Sequence, residues 1–124
     1  LLVLFAMAIT VQAQSPNAIP YQGVVRNLAG NILASQNIGL RISIHDVTAG
    51  GTEVFSETHA VTTTNLGLFN VNIGQGAPLT GTLGTVNWGN GAKFIQVKMD
   101  ATGGTNYIDM GTTQLNSVPY ALYA

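Results

Sequence analysis

The residues able to do acid–base or metal chemistry are few: two imidazoles, His45 and His59, and five carboxylates, Asp46, Glu53, Glu57, Asp100 and Asp109. A metal centre needs three or more converging ligands, and here they would come from His45, His59, Asp46, Glu53 and Glu57. His45 alternates with Arg41 and Ser43 along one polar side of an apolar run, which favours a solvated ring over a ligand. His59 lies two residues from Glu57 on one side of an extended run, so a hydrogen-bonded pair is favoured over a ligand set whose third member the spacing does not supply. A serine hydrolase would draw its nucleophile from Ser35, Ser43, Ser56 or Ser117, and none stands in a Gly-x-Ser-x-Gly elbow. The five carboxylates show no grouping of the kind that places a glycosidase pair. On these grounds the chain is expected to be non-enzymatic.

Gly74-Gln75-Gly76 and Gly89-Asn90-Gly91 lack the strand-to-helix setting and the Lys of a phosphate loop, so they are read as turns. Asp100-Ala101-Thr102-Gly103-Gly104 has the Asp and Gly of a calcium loop but neither the alternating oxygen ligands nor the closing Glu, and a hairpin turn is favoured. No metal and no cofactor is expected. The remaining candidate is aromatic: Trp88 with Tyr107 or Tyr21 could stack on a sugar. A lone Trp in a small domain has a large apolar area to bury, so a plug role for Trp88 is preferred to a ligand platform.

These side chains must be positioned by strands. In Ile38 to Val47, residues Ile38, Leu40, Ile42 and Ile44 fall on one side and Gly39, Arg41, Ser43 and His45 on the other, the two-residue period of a half-buried strand. Such a strand needs a second apolar surface over it, which predicts two packed sheets. Further strands are predicted over Ala18 to Val25, with Pro20 keeping it to an edge or end, over the short piece Ile32-Leu33, over Thr52 to Thr64, over Leu68 to Ile73 with Phe69, Val71 and Ile73 inward, over Lys93 to Asp100, and over Tyr107 to Leu115. The Thr52 to Thr64 run offers two faces, Phe55-Glu57-His59-Val61 or Val54-Ser56-Thr58-Ala60, without deciding between them. It is expected to pair with Leu68 to Ile73 as a hairpin across Asn65-Leu66-Gly67. Residues 74–91 read as a crossover between sheets pinned by Trp88. The sum is an all-β chain, a single antiparallel sandwich of about seven strands, immunoglobulin-like or transthyretin-like.

Composition narrows the partners. Only 7% of the 124 residues are charged, against about 25% in ordinary globular domains, and the net charge of -1 gives no basic field for nucleic acid. The absence of cysteine removes disulfides and thiolate zinc sites. Leu1 to Val11 is almost wholly apolar and leads into Gln12-Ala13-Gln14, with Val11 and Ala13 at the spacing of a signal-peptidase site. Residues 1–13 are therefore expected to be the end of a secretory leader, 14–17 a linker and 18–116 the sandwich, with no transmembrane span in the mature chain. Ser117-Val118-Pro119 suits a helix start or linker over 117–124.

Four stretches taken together carry a family resemblance: Ala18-Ile19-Pro20-Tyr21-Gln22-Gly23-Val24-Val25-Arg26-Asn27; Ser56-Glu57-Thr58-His59 with Gly67-Leu68-Phe69; Asn87-Trp88-Gly89-Asn90-Gly91; and Gly111-Thr112-Thr113-Gln114-Leu115 running into Ser117-Val118-Pro119-Tyr120-Ala121-Leu122-Tyr123-Ala124. In this order they resemble the N-terminal β-sandwich module of secreted surface proteins of Bacteroidota type. The resemblance implies secretion or cell-surface location, and downstream partner regions of the same polypeptide, such as collagen-like or tail-fibre-like repeats or self-processing chaperone domains. It implies no catalytic residue. The expectation is a non-catalytic structural, adhesion or display module, with other surface proteins, glycans or self-association as partners. The alternative is a carbohydrate-binding module using loop aromatics.

Overall fold

The computed structural model describes residues 18–115. The leader expected at 1–13, the linker expected at 14–17 and the helix start or linker expected at 117–124 lie outside those residues. Seven strands occur in chain order: β1 (Ile19–Val24), β2 (Asn37–Asp46), β3 (Glu53–Thr62), β4 (Leu68–Ile73), β5 (Ala77–Thr80), β6 (Lys93–Asp100) and β7 (Ile108–Gln114), with one 3-10 turn, Leu83–Thr85, between β5 and β6. Five strands form one antiparallel sheet in the order β5-β3-β2-β6-β7, and β1 pairs with β4 in a second sheet of two. The chain is thus an all-β sandwich of two antiparallel sheets.

β2 is the middle strand, and its alternation explains the core. Ile38, Leu40, Ile42 and Ile44 are each at most 1% exposed. Opposite them across the ladders stand Val61, His59, Glu57 and Phe55 of β3 and, for the last three, Met99, Val97 and Ile95 of β6. Directly opposed residues of an antiparallel pair share a face, so the inner side of β3 is the Phe55-Glu57-His59-Val61 register that the sequence left open. Phe69, Val71 and Ile73 of β4 close the core from the second sheet.

Three features depart from the expected layout. β3 and β4 do not form a hairpin: β3 is bonded to β2 on one edge and β5 on the other, so β4 crosses to the second sheet and pairs with β1. The change of sheet is made at the Thr63–Gly67 corner. There the Thr64 hydroxyl accepts the main-chain N–H groups of Leu66 and Leu68, both at 3.2 Å, and Gly67 takes φ +75°, a value that suits glycine because a Cβ would clash there. Ile32-Leu33 is not a strand; Ile32 makes one isolated bridge to Arg26. The seventh strand is β5 instead, an edge strand containing Pro78, where a missing N–H costs least. The crossover at 74–91 does carry the chain from one sheet to the other, and Leu83, Val86 and Trp88 are buried beneath it.

Candidate functional site

The inner face of β3 holds the most unusual chemistry. Glu57 is 1% exposed on an otherwise apolar side of the sheet. Its Oε2 accepts the main-chain N–H of Gly74 at 2.9 Å and meets His59 Nε2. A buried carboxylate is tolerable only when its oxygens are satisfied by hydrogen-bond or ion-pair partners, and these two contacts supply partners for Oε2. The favoured pairing of His59 with Glu57 is therefore present, and it has a definite job. Gly74 is the first residue after β4 and takes φ +106°, so the pair grips the chain where it leaves the second sheet. Gly76 packs so closely that a Cβ there would lie 2.5 Å from the Thr58 carbonyl and 2.7 Å from His59 Nε2. Gly74-Gln75-Gly76 is thus a turn clasped to β3.

A second polar network covers the outer face of the five-stranded sheet. Arg41 forks onto Glu53, with Nη1 at 3.1 Å from Oε1 and Nη2 donating to Oε2 at 3.2 Å, and also donates to the fully buried Ser43 hydroxyl at 3.0 Å. Burial pushes the Glu53 carboxyl up, but the Arg41 and Ser43 hydrogen bonds and the Arg41 charge together hold it below its ordinary value. His45 is not the solvated ring expected from alternation. It is half-buried, donates from Nδ1 to the Gly51 carbonyl at 2.9 Å, and places Nε2 2.9 Å from Gln96 Oε1. Gln96 in turn donates to Asp109 at 3.0 Å. The Gly111 N–H, then the Gln96 amide, hold Asp109 below the usual carboxylate range. The outer-face reading failed because neighbouring strands supply long polar side chains that roof the ring over, which a one-strand pattern does not contain.

The strand ends use their charges similarly. Lys93 stands on the inner register of β6, two residues before Ile95, and is 1% exposed. Its Nζ donates to the Asn90 carbonyl at 2.7 Å and lies 2.9 Å from Asp46 Oδ1. This closes the Gly89-Asn90-Gly91 turn against the end of β2. The burial of Lys93 was not foreseen, because lysine at a strand start ordinarily reaches solvent. At the other end of β6, Asp100 accepts the Thr102 hydroxyl at 2.6 Å and the Thr102 and Asn106 main-chain N–H groups at 2.8 and 2.9 Å. The Thr102 hydroxyl, then these N–H groups, hold its carboxyl low. The Asp100-to-Gly104 stretch is a side-chain-braced turn.

The aromatic platform does not assemble. Trp88 is 4% exposed and donates its indole N–H to the Leu83 carbonyl at 3.0 Å, so it plugs the crossover. Tyr107 lies beside Gly39, in the chain after the end of β6, whereas Trp88 lies before its start. Tyr21 belongs to the other sheet, its ring centroid 6.2 Å from that of Phe69. Of the serines, Ser43 and Ser56 are fully buried and cross-strand neighbours, Ser35 sits in a turn at φ 50°, and Ser117 is outside the described residues. Among the described residues no group of three or more His, Asp or Glu side chains is placed to hold a metal ion. No helix among them is long and apolar enough to cross a membrane.

One concavity is apolar. The two-stranded sheet covers only part of the five-stranded one, and between β1 and β7 a groove of about 440 Å³ opens onto the core, lined among others by Tyr21, Val24, Phe69, Met99, Met110 and Leu115. Neither composition nor motif pointed to it, because it arises from the unequal widths of the sheets.

Comparison of the chain with curated proteins gives no match. A family does match over residues 20–114, which spans the whole sandwich from β1 to β7, so the chain belongs to the family described as Domain of unknown function (DUF8740).

Proposed function

We propose that the chain is a non-catalytic structural, adhesion or display module, carried out of the cell by its leader and serving a larger surface polypeptide. One observation carries this reading: the side chains best suited to chemistry are each committed to holding a connection. Glu57 and His59 clasp the β4–β5 turn, Lys93 closes the turn before β6, Asp100 braces the turn after it, and His45 ties the β2–β3 turn to β6. Groups locked in this way rigidify a spacer and are poorly free to exchange protons with a substrate. The Bacteroidota-type resemblance of the sequence adds the expectation of surface location and of further regions downstream.

Two measurements test it. Protease treatment of intact cells should release peptides of residues 18–115, and the mature protein should begin at Gln14; recovery of the chain only from the cytoplasm, with Leu1 to Ala13 intact, contradicts export. The purified chain should turn over no chromogenic ester, peptide or glycoside substrate. Turnover that survives purification and disappears in His59→Ala contradicts the non-catalytic reading. The carbohydrate-binding alternative loses its anchor with Trp88 buried, and glycan-array binding abolished by Tyr107→Ala would restore it.

A further inference from the structure

We propose that Asn90 is a site of self-modification: the Gly91 main-chain nitrogen closes on the Asn90 side chain, ammonia leaves, and water reopens the ring to an isoaspartyl link, assisted by the Lys93 ammonium. Asn90-Gly91 is the single Asn-Gly step in the 124 residues. Asparagine is thermolabile through this ring closure, and glycine favours it by placing no side chain beside the attacking nitrogen. The structure leaves the reacting groups free. Both residues are exposed, at the end of a turn closed by the Asn90 N–H on the Asn87 carbonyl at 3.2 Å. Gly91 takes φ +81°, and a Cβ built on it would meet only Val47, at 3.6 Å, so little crowds it. Among the described residues neither the Gly91 N–H nor the Asn90 side-chain amide has a hydrogen-bond partner.

Lys93 sets this step apart from an ordinary exposed Asn-Gly pair. Its side chain is 1% exposed, and Nζ donates to the Asn90 main-chain carbonyl at 2.7 Å and to the Gly91 carbonyl at 3.3 Å, beside Asp46 Oδ1 at 2.9 Å. The Asn90 carbonyl and the Gly91 N–H belong to one peptide group. To attack, the nitrogen must give up its proton, and amide resonance shares the resulting negative charge with that carbonyl oxygen. A buried ammonium donating to the oxygen stabilises the charge. The nitrogen then bonds to Asn90 Cγ and the Cγ–Nδ2 bond breaks. Nδ2 departs as ammonia, gaining through water the proton that Gly91 lost. Of the two carbonyls in the ring, the Lys93 contact polarises the one from the Asn90 main chain. Water adds there; the bond from that carbon to the Gly91 nitrogen breaks, the carbon keeping the hydroxyl and the nitrogen taking the proton. The chain now runs through Cγ with one methylene more, and the old carbonyl has become a carboxylate facing the Lys93 ammonium, a second counter-charge beside Asp46. Water is the only other reactant.

Peptide mapping by mass spectrometry tests this on the full chain, held folded in ¹⁸O-water at neutral pH and physiological temperature. The peptide containing Asn90 should gain about three daltons, one from exchange of the amide NH₂ for OH and two from the isotope. Electron-transfer fragmentation should show an isoaspartyl share above that of the same chain converted in urea. Conversion should be several-fold faster folded than unfolded, because unfolding takes Lys93 away from the carbonyl. Lys93→Met, its fold checked by circular dichroism, should convert several-fold more slowly, with its isoaspartyl share lowered to that of the unfolded chain. Asn90→Gln, whose ring would need six members, should keep its mass. An Asn90 peptide that stays unchanged in the folded chain overturns the proposal. So does folded conversion no faster than unfolded, a comparison that needs no variant. A folded Lys93→Met chain that converts at the parent rate with the parent product ratio also overturns it.

Discussion

Glu57 sits in the middle of β3 and Gly74 just past the end of β4, a strand of the other sheet, yet the Glu57 carboxylate accepts the Gly74 main-chain N–H at 2.9 Å. β3 and β4 share no ladder, so this bond, together with the corner at Thr63–Gly67, governs how the second sheet is delivered onto the first. A carboxylate on an apolar sheet face is costly unless it organises something; here it fixes the point at which the chain returns from β4 to β5.

Removing that carboxylate should be expensive. Glu57→Ala leaves the Gly74 N–H and the His59 ring without their acceptor and is expected to lower unfolding free energy by about 3 kcal/mol. Glu57→Gln, which retains an acceptor oxygen, should cost about 1 kcal/mol. Urea unfolding of the two variants beside the parent checks both the size and the order.

Glycine substitutions separate close packing from open turns. Gly76→Ala drives a Cβ to 2.5 Å from the Thr58 carbonyl, a backbone atom that cannot swing aside, and should destabilise by about 1 to 3 kcal/mol. Gly50→Ala meets nothing within 4 Å and its φ is not in the left-handed region, so it should be neutral or stabilise by up to about 1 kcal/mol through the unfolded chain. The difference between the two thermal midpoints is the measurement.

Trp88→Ala empties the space under the crossover and removes the indole donor from the Leu83 carbonyl; a loss of about 3 to 5 kcal/mol is expected. At about 4 °C or more per kcal/mol for a domain of this size, the midpoint should fall by more than about 10 °C. An unchanged midpoint would mean that the indole is not part of the core.

Much of this architecture is legible as alternation. β2 and β4 present the predicted inner residues because their apolar and polar side chains take turns, and Trp88 is buried as its size suggests. β3 was ambiguous for a physical reason: its inner face carries Glu57 and His59, polar groups whose partner, the Gly74 N–H, is 17 residues away in the chain. β5 was hidden by Pro78 and the surrounding Gly and Thr, which read as loop, and the β3–β4 hairpin failed because two strands joined by a short turn need not share a sheet. His45 and Lys93 illustrate the same limit: their burial is decided by Gln96 in one case and by the Asn90 carbonyl in the other, contacts that only the assembled sheet creates.

Acid should weaken the fold through three carboxyls. Glu53, Asp100 and Asp109 are all lowered in the folded chain from ordinary values of 4.5, 3.8 and 3.8, so the unfolded chain binds protons more readily at these sites. Their stabilisation is fully present above the unfolded values and is lost as pH falls through the lower folded ones. The midpoint should drop from about pH 4 downward, and the drop should be smaller in Asp100→Asn, as thermal scans across pH will show.

The clasp between β3 and the β4–β5 turn is read most directly by amide hydrogen exchange at Gly74. The Gly74 amide should be strongly protected in the parent chain, and in Glu57→Ala it should exchange at least about tenfold faster, the equivalent of 1.4 kcal/mol, while Ile42 and Ile44 at the centre of β2 keep exchanging more slowly than Gly74. Rapid exchange at Gly74 in the parent, or protection that Glu57→Ala leaves unchanged, would contradict it.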